Sequence, residues 1–80
     1  MIRIAKTSRL TTDEIIRRAS TFFGAGGEGL EQISLQNCCV SFAGGGGHVS
    51  VFVADENTHR TVEVESREFE YQAKRFLVSV

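Results

Sequence analysis

Apolar residues recur along this chain with two different periods. Between Thr11 and Gly24, the residues Ile15, Ile16, Ala19, Phe22 and Phe23 return at helical spacing and make one apolar stripe. The stretch Thr11-Thr12-Asp13-Glu14 just ahead of them has the capping-box form, in which Thr11 accepts from the N–H three residues on and Glu14 reaches back. Gly24 is placed to end the helix with positive φ. The spacing therefore predicts a helix over about 12–23.

From Leu30 onward the period shortens to two. Ile33 and Leu35 share one parity, Cys38, Val40 and Phe42 the other, followed by Val49, Val51 and Val53 and then by Val62 and Val64. Each run buries one side and leaves the other to Gln, Ser, Thr, His and Glu, as in an antiparallel sheet covered on a single face. Predicted strands lie at about 30–35, 38–43, 48–54 and 59–65. The parity change at Gln36-Asn37 fits either a hairpin turn, giving four strands, or a bulge in one long strand, giving three. Four is the favoured count. Ser66 can cap a last helix over about 66–78, whose Phe69, Ala73, Phe76, Leu77 and Val80 align on one face. Ile2 and Ile4 allow an added N-terminal strand at a sheet edge.

The expected fold is thus α+β: a single 80-residue domain with an antiparallel meander of three to four strands, an optional N-terminal strand, and two helices on one face. The order is (β)-α-β-β-β-β-α. Parity also sets register. Phe42 faces Val49, Val40 faces Val51 and Cys38 faces Val53, which closes the hairpin at Ala43 and His48 around a four-residue loop, Gly44, Gly45, Gly46 and Gly47. The same rule pairs Val51 with Val62 and Val49 with Val64. On the uncovered face it lines up Ala43, His48 and Glu65, then Ser41, Ser50 and Glu63, and sets Phe52 beside Cys39 and Thr61.

Composition narrows the class. An apolar share of 41% and a charged share of 24% are those of a globular chain, and no apolar run approaches the roughly 20 residues of a membrane helix. MIRIAKTSRL lacks the apolar segment of a signal peptide, which reads as cytoplasmic. Cys38 and Cys39 are adjacent, point to opposite faces if both lie on a strand, and so read as reduced thiols. Two neighbouring cysteines and two distant histidines have no zinc spacing, and no cofactor is expected.

Net charge is −1, unevenly spread: residues 1–18 carry five basic and two acidic side chains, residues 19–65 one basic and six acidic. A phosphate-binding footprint would require Arg3, Lys6, Arg9, Arg17 and Arg18 to gather on one face. The segment Gly24–Gly29 is no phosphate loop, because it follows a helix C-terminus, whose dipole repels anions.

Three functional readings follow. The open face carries Phe52, Cys39, Ala43 and Ala54 on a serine- and threonine-rich ground, which favours a non-catalytic interaction surface for another copy or a protein partner. Its residues are Cys39, Ser41, His48, Ser50, Phe52, Thr61 and Glu63. Ser, His and Glu are neighbours there, but a flat sheet offers neither a water-excluding cleft nor an oxyanion hole, so no catalytic residue is expected.

The second reading is nucleic-acid binding. A helix, three strands and a helix, with GGGGHVSVFV at the first hairpin and QAKRFL in the last helix, resemble a double-stranded-RNA-binding domain over about residues 11–77. That resemblance implies phosphate contacts from the start of the last helix. Here that stretch is Ser66-Arg67-Glu68-Phe69-Glu70, which has more acid than base, opposite to what phosphate neutralisation needs. The third reading is a small-molecule site between Gly24–Gly29 and Gly44–Gly47, for which a chain this short has little volume to spare. His59 and Tyr71 read as ordinary surface side chains.

Overall fold

A computed structural model describes residues 1–80. The elements are β1 (Ile2–Ser8), α1 (Thr12–Phe23), β2 (Glu31–Leu35), β3 (Cys39–Gly44), β4 (Gly47–Asp55), β5 (Arg60–Arg67) and α2 (Glu70–Ser79). The five strands form one antiparallel sheet in the order β1-β5-β4-β3-β2. Strands β2 to β5 run as the expected meander, but the Ile33 and Leu35 run does not bury one side as expected: every residue of the edge strand β2 is exposed. The N-terminal strand is real, longer than Ile2 and Ile4 alone indicated, and closes on β5 from Ile2↔Ser66 to Ser8↔Arg60.

Both helices lie on one face. Their buried stripes, Ile15, Ala19 and Phe23 from α1 and Ala73, Phe76 and Leu77 from α2, join Val40, Phe42, Val49, Val51, Val53, Val62, Val64 and Leu30 in a single core. The Phe23 ring sits 5.4 Å from Phe76 and 5.6 Å from Phe42, linking α1, α2 and β3 at the centre. Aromatic contacts of this kind add to area burial. No helix is long and apolar enough to cross a membrane.

Local chemistry explains the element ends. Thr11 Oγ1 accepts from the Glu14 N–H at 3.2 Å, the expected cap. The reciprocal arm is missing, because the Glu14 carboxylate is taken by Arg17 and Arg18. Gly24 is extended, at φ −79°, and not left-handed. The chain leaves α1 through its own backbone instead: Glu28 N–H bonds to Phe22 C=O and Leu30 N–H to Phe23 C=O, both at 2.9 Å, and the positive φ falls at Gly29.

Ser66 does not cap α2. It continues the inward parity of Val62 and Val64 on β5, is fully buried, and donates to the His48 carbonyl at 3.3 Å. The strand therefore runs two residues past the predicted end, to Arg67, and α2 begins only at Glu70. Glu68 takes φ +76° at the junction, and its N–H is held by the Glu70 carboxylate at 2.9 Å.

At Gln36-Asn37 the chain turns, as in the four-strand alternative, and the one long bulged strand of the three-strand alternative does not form. Gln36 and Cys39 exchange backbone hydrogen bonds of 2.8 and 3.3 Å around Asn37-Cys38, which makes a turn and separates β2 from β3. A register shift between Gln32 and Ser34 then puts a bulge at Ile33. The turn alone accounts for the parity break at Gln36-Asn37, pairing Leu35 with Val40, whereas the bulge shifts parity again within β2 and sets Gln32 opposite Phe42.

The β3–β4 pairing has the predicted register, Phe42↔Val49, Val40↔Val51 and Ala43↔His48, with one correction at its tip. Gly44 and Gly47 also pair, so the loop is two residues and not four. Gly45 and Gly46 both have positive φ, +57° and +83°, as a two-residue hairpin turn of the type that matches strand twist demands. Gly47 is required for another reason: a Cβ there would run into the Arg67 carbonyl and the Phe69 ring.

Candidate functional site

The sheet face away from the helices is built from the odd partners of the buried residues: Arg3 and Ala5 of β1, Glu63, Glu65 and Arg67 of β5, His48, Ser50, Phe52 and Ala54 of β4, and Cys39, Ser41 and Ala43 of β3. Alternation places them there, since each adjacent residue faces the core. The composition of β4 shows the division directly: Val49, Val51 and Val53 are buried, while His48, Ser50 and Phe52 are half-buried on the opposite side.

The β4–β5 register differs from the sequence expectation by two residues. Val51 pairs with Val64, Val53 with Val62 and Val49 with Ser66. A shift of two preserves which face every side chain occupies and changes only its neighbours, so hydrophobic parity alone does not determine it. The longer β5 does: Ser66 inside the strand supplies the inward partner that Val49 needs. The rows on the open face become Ala43, His48 and Arg67; Ser41, Ser50, Glu65 and Arg3; and Cys39, Phe52, Glu63 and Ala5. Thr61 sits opposite Ala54, one row away from Phe52.

These rows make contacts. Arg3 bridges β1 to β5, with one guanidinium nitrogen 2.7 Å from Glu63 and another 3.3 Å from Glu65, and its Cζ lies 5.7 Å from the centre of the Phe52 ring. The guanidinium thus roofs the one aromatic on the face. Ser41 and Ser50 hydroxyls are hydrogen-bonded at 2.9 Å, and His48 Nε2 is 3.8 Å from Glu65 Oε1. The hydrogen bond from Arg3 and its positive charge hold the Glu63 carboxyl below the ordinary carboxylate range, and the same bond raises Arg3.

Of the residues singled out from sequence, Cys39, Ser41, His48, Ser50, Phe52 and Glu63 form one contiguous area. Thr61 lies at its border, and the glycine turn projects from one end. Arg3 and Glu65 belong to the area through their contacts. The sequence reading placed Arg3 only among the basic residues of a possible phosphate footprint and missed its place on this face, which depends on the edge that the N-terminal strand joins.

The basic residues do not gather. Arg3 is on the open face, Arg17 and Arg18 share Glu14 on the outside of α1, and Lys6 turns to the helix side, where Nζ donates to the Leu77 carbonyl at 3.0 Å. Arg18 donates to the Ser79 carbonyl at 3.0 Å and Ser8 Oγ to the Val80 carbonyl at 2.7 Å. The C-terminal end of α2, with no basic residue in its own last turn, thereby receives its cations from β1 and α1.

At the place proposed for a small ligand, Leu30 packs against Gly44: its Cδ2 lies 3.0 Å from where a Gly44 side chain would begin. The one surface depression, of about 320 Å³, is elsewhere, lined by Arg17, Arg18, Thr21, Phe22 and Ser79.

One cysteine expectation is overturned. Cys38 and Cys39 are joined to each other by a disulfide, and no free thiol remains. Opposed faces would keep neighbours apart on a strand, but only Cys39 is in β3. Cys38 belongs to the turn, where the backbone is free of the alternation on which the expectation depended. No protein-family model matches the chain, and no curated protein is significantly similar to it.

Proposed function

We propose that this is a non-catalytic self-associating domain whose open sheet face pairs with the same face of a second copy. The single observation behind this reading is the one-sided sheet, in which five strands are covered by helices on one face only. Strands of five to nine residues spaced about 4.8 Å apart give the open face on the order of 500 Å². Two such faces bury about 1,000 Å², the lower bound for a specific but weak interface.

Charge favours a like partner. Glu63 and Glu65 lie between Arg3 on one side and His48 and Arg67 on the other, so a second copy turned about a two-fold axis brings base against acid. A polyanion would meet the two glutamates instead, and the stretch Glu68–Glu70 at the start of α2 adds more acid. Phe52 supplies the apolar centre, with Ala43, Ala54 and the Ser41–Ser50 pair as small surroundings.

Sedimentation equilibrium of the wild type and Phe52→Glu tests the reading. The expected outcome is concentration-dependent dimerisation of the wild type that the glutamate abolishes. A wild-type protein that stays monomeric at high micromolar concentration overturns it.

A further inference from the structure

We propose that Cys38 and Cys39 form a thiol–disulfide exchange site whose reaction partner is a small-molecule thiol, and that reducing it loosens edge strand β2. The inference does not rest on self-association. Three observations carry it: the bond itself, its exposure, and its place in the hairpin.

A disulfide stabilises a fold chiefly by closing a loop in the unfolded chain, and the gain grows with the length of that loop. Here the bonded residues are sequence neighbours and the ring holds no other residue. The bond is therefore no staple for the domain. Cys38 is exposed at the tip of the β2–β3 hairpin and Cys39 is half-buried beside Phe52. An exposed disulfide is open to attack by a thiolate, which a buried one is not.

The chemistry balances with a small thiol as sole reductant. Its thiolate attacks Sγ of Cys38, a new S–S bond forms, the Cys38–Cys39 bond breaks, and Cys39 leaves as a thiolate that takes a proton from water. A second thiolate attacks the sulfur of the first small thiol, giving the small-molecule disulfide and freeing Cys38. In sum, two small thiols are oxidised and one protein disulfide becomes a dithiol. The reverse reaction restores the bond, because the neighbouring thiol is always at hand to expel the small molecule.

The consequence falls on β2. All five of its residues are exposed, among them Ile33 at 58% and Leu35 at 57%, and the strand is an edge. It is held by its pairing to β3, by a hydrogen bond from Ser20 Oγ to Gln32 Oε1 at 3.1 Å, and by the turn in which the disulfide lies. That turn is fixed by the Gln36–Cys39 hydrogen bonds, and the Cys38 carbonyl is held by the Val53 N–H at 2.9 Å. Opening the ring returns backbone freedom to both cysteines and loosens the first of these anchors.

The test uses the full chain in glutathione buffers of set reduced-to-oxidised ratio, quenched with iodoacetamide and weighed. Two alkyl groups are expected under reducing buffer and none after return to oxidising buffer. In parallel, amide exchange of Gln32–Leu35 is expected to be roughly tenfold faster in the reduced protein, with β4 and β5 unchanged. The Cys38→Ser/Cys39→Ser double variant should match the reduced form. Resistance of the folded protein to excess reduced glutathione overturns the exchange site, as does re-oxidation that yields only mixed or intermolecular disulfides. Equal β2 exchange in both states overturns the loosening.

Discussion

The two faces of the sheet are made by alternate residues of the same strands, yet they follow different rules. Toward the helices, Phe42, Val49, Val51, Val62 and Val64 are fully buried and held by shape alone. Toward the open side, Ser41, Ser50, Arg3, Glu63 and Glu65 hold one another through hydrogen bonds and charge, with the Phe52 ring under Arg3. The first face sets stability, because each buried group is fully desolvated and any void left there stays empty. The second has little to lose by mutation and is thus free to carry recognition.

Truncation gives the largest contrast. Phe42→Ala, on the covered face, should cost about 3–5 kcal/mol by urea unfolding, enough to unfold much of a domain this small. Phe52→Ala, on the open face, should cost about 1 kcal/mol or less, since the ring is half-exposed and the guanidinium beside it is open to water. Equal losses would erase the distinction between the faces.

The hairpin tip comes next, where the two faces meet. Gly47→Ala forces the new methyl into the Arg67 carbonyl and Phe69 ring and should cost about 2 kcal/mol. Gly46→Asn, whose side chain tolerates the left-handed region, should cost well under about 1 kcal/mol. The reverse order would show that the turn, and not the close approach, limits the tip.

Acid titration offers a smaller effect. Glu14, through hydrogen bonds from Arg18 and then Arg17, and Glu63, through Arg3, are both held below the usual carboxylate range. A depressed carboxylate adds stability that is present above its unfolded value, near about 4.3, and is lost as pH falls through its folded value. Unfolding midpoints measured from pH 6 to pH 3 should therefore fall, and Arg3→Ala and Arg18→Ala should each flatten part of the fall. If Arg3→Ala leaves the profile unchanged, the open-face ion pairs are spectators in solution. Smallest of all, Ser50→Ala should change stability by about 0.5 kcal/mol or less, as is usual for substitutions away from the core.

Most of the fold was legible in the residues, for a physical reason. Periods of 3.6 and 2 are imposed by burial, so α1, the meander, the β3–β4 register and the membership of the open face could all be read from Ile15, Phe23, Val40, Val49 and their spacing. What burial does not distinguish was not legible. A two-residue slip keeps every side chain on its face, so parity pairs Val51 with Val62 as readily as with its actual partner, Val64. Ser66 reads as a helix cap wherever it stands after a strand, because a serine inside a strand differs only by its neighbours. The same limit applied to Cys38: a turn residue has no parity, and its bond to Cys39 follows from backbone conformation that no hydrophobic pattern encodes. The place of Arg3 in the site was not legible, because both its face and its partners follow from the pairing of β1 with β5.

That last pairing bears on how the molecule comes to be. β1 hydrogen-bonds to β5, so the first strand of the domain gains its neighbour only from the last. Lys6 and Ser8 wait longer still, for the carbonyls of Leu77 and Val80. The meander from β2 to β5 assembles from adjacent segments, whereas closing the β1 edge requires bringing together residues about 60 apart, at a loop-closure cost in chain entropy. Closing the β1 edge is therefore the slow, non-local step of this fold, and until it happens Ile2 and Ile4 have no β5 to pack beside.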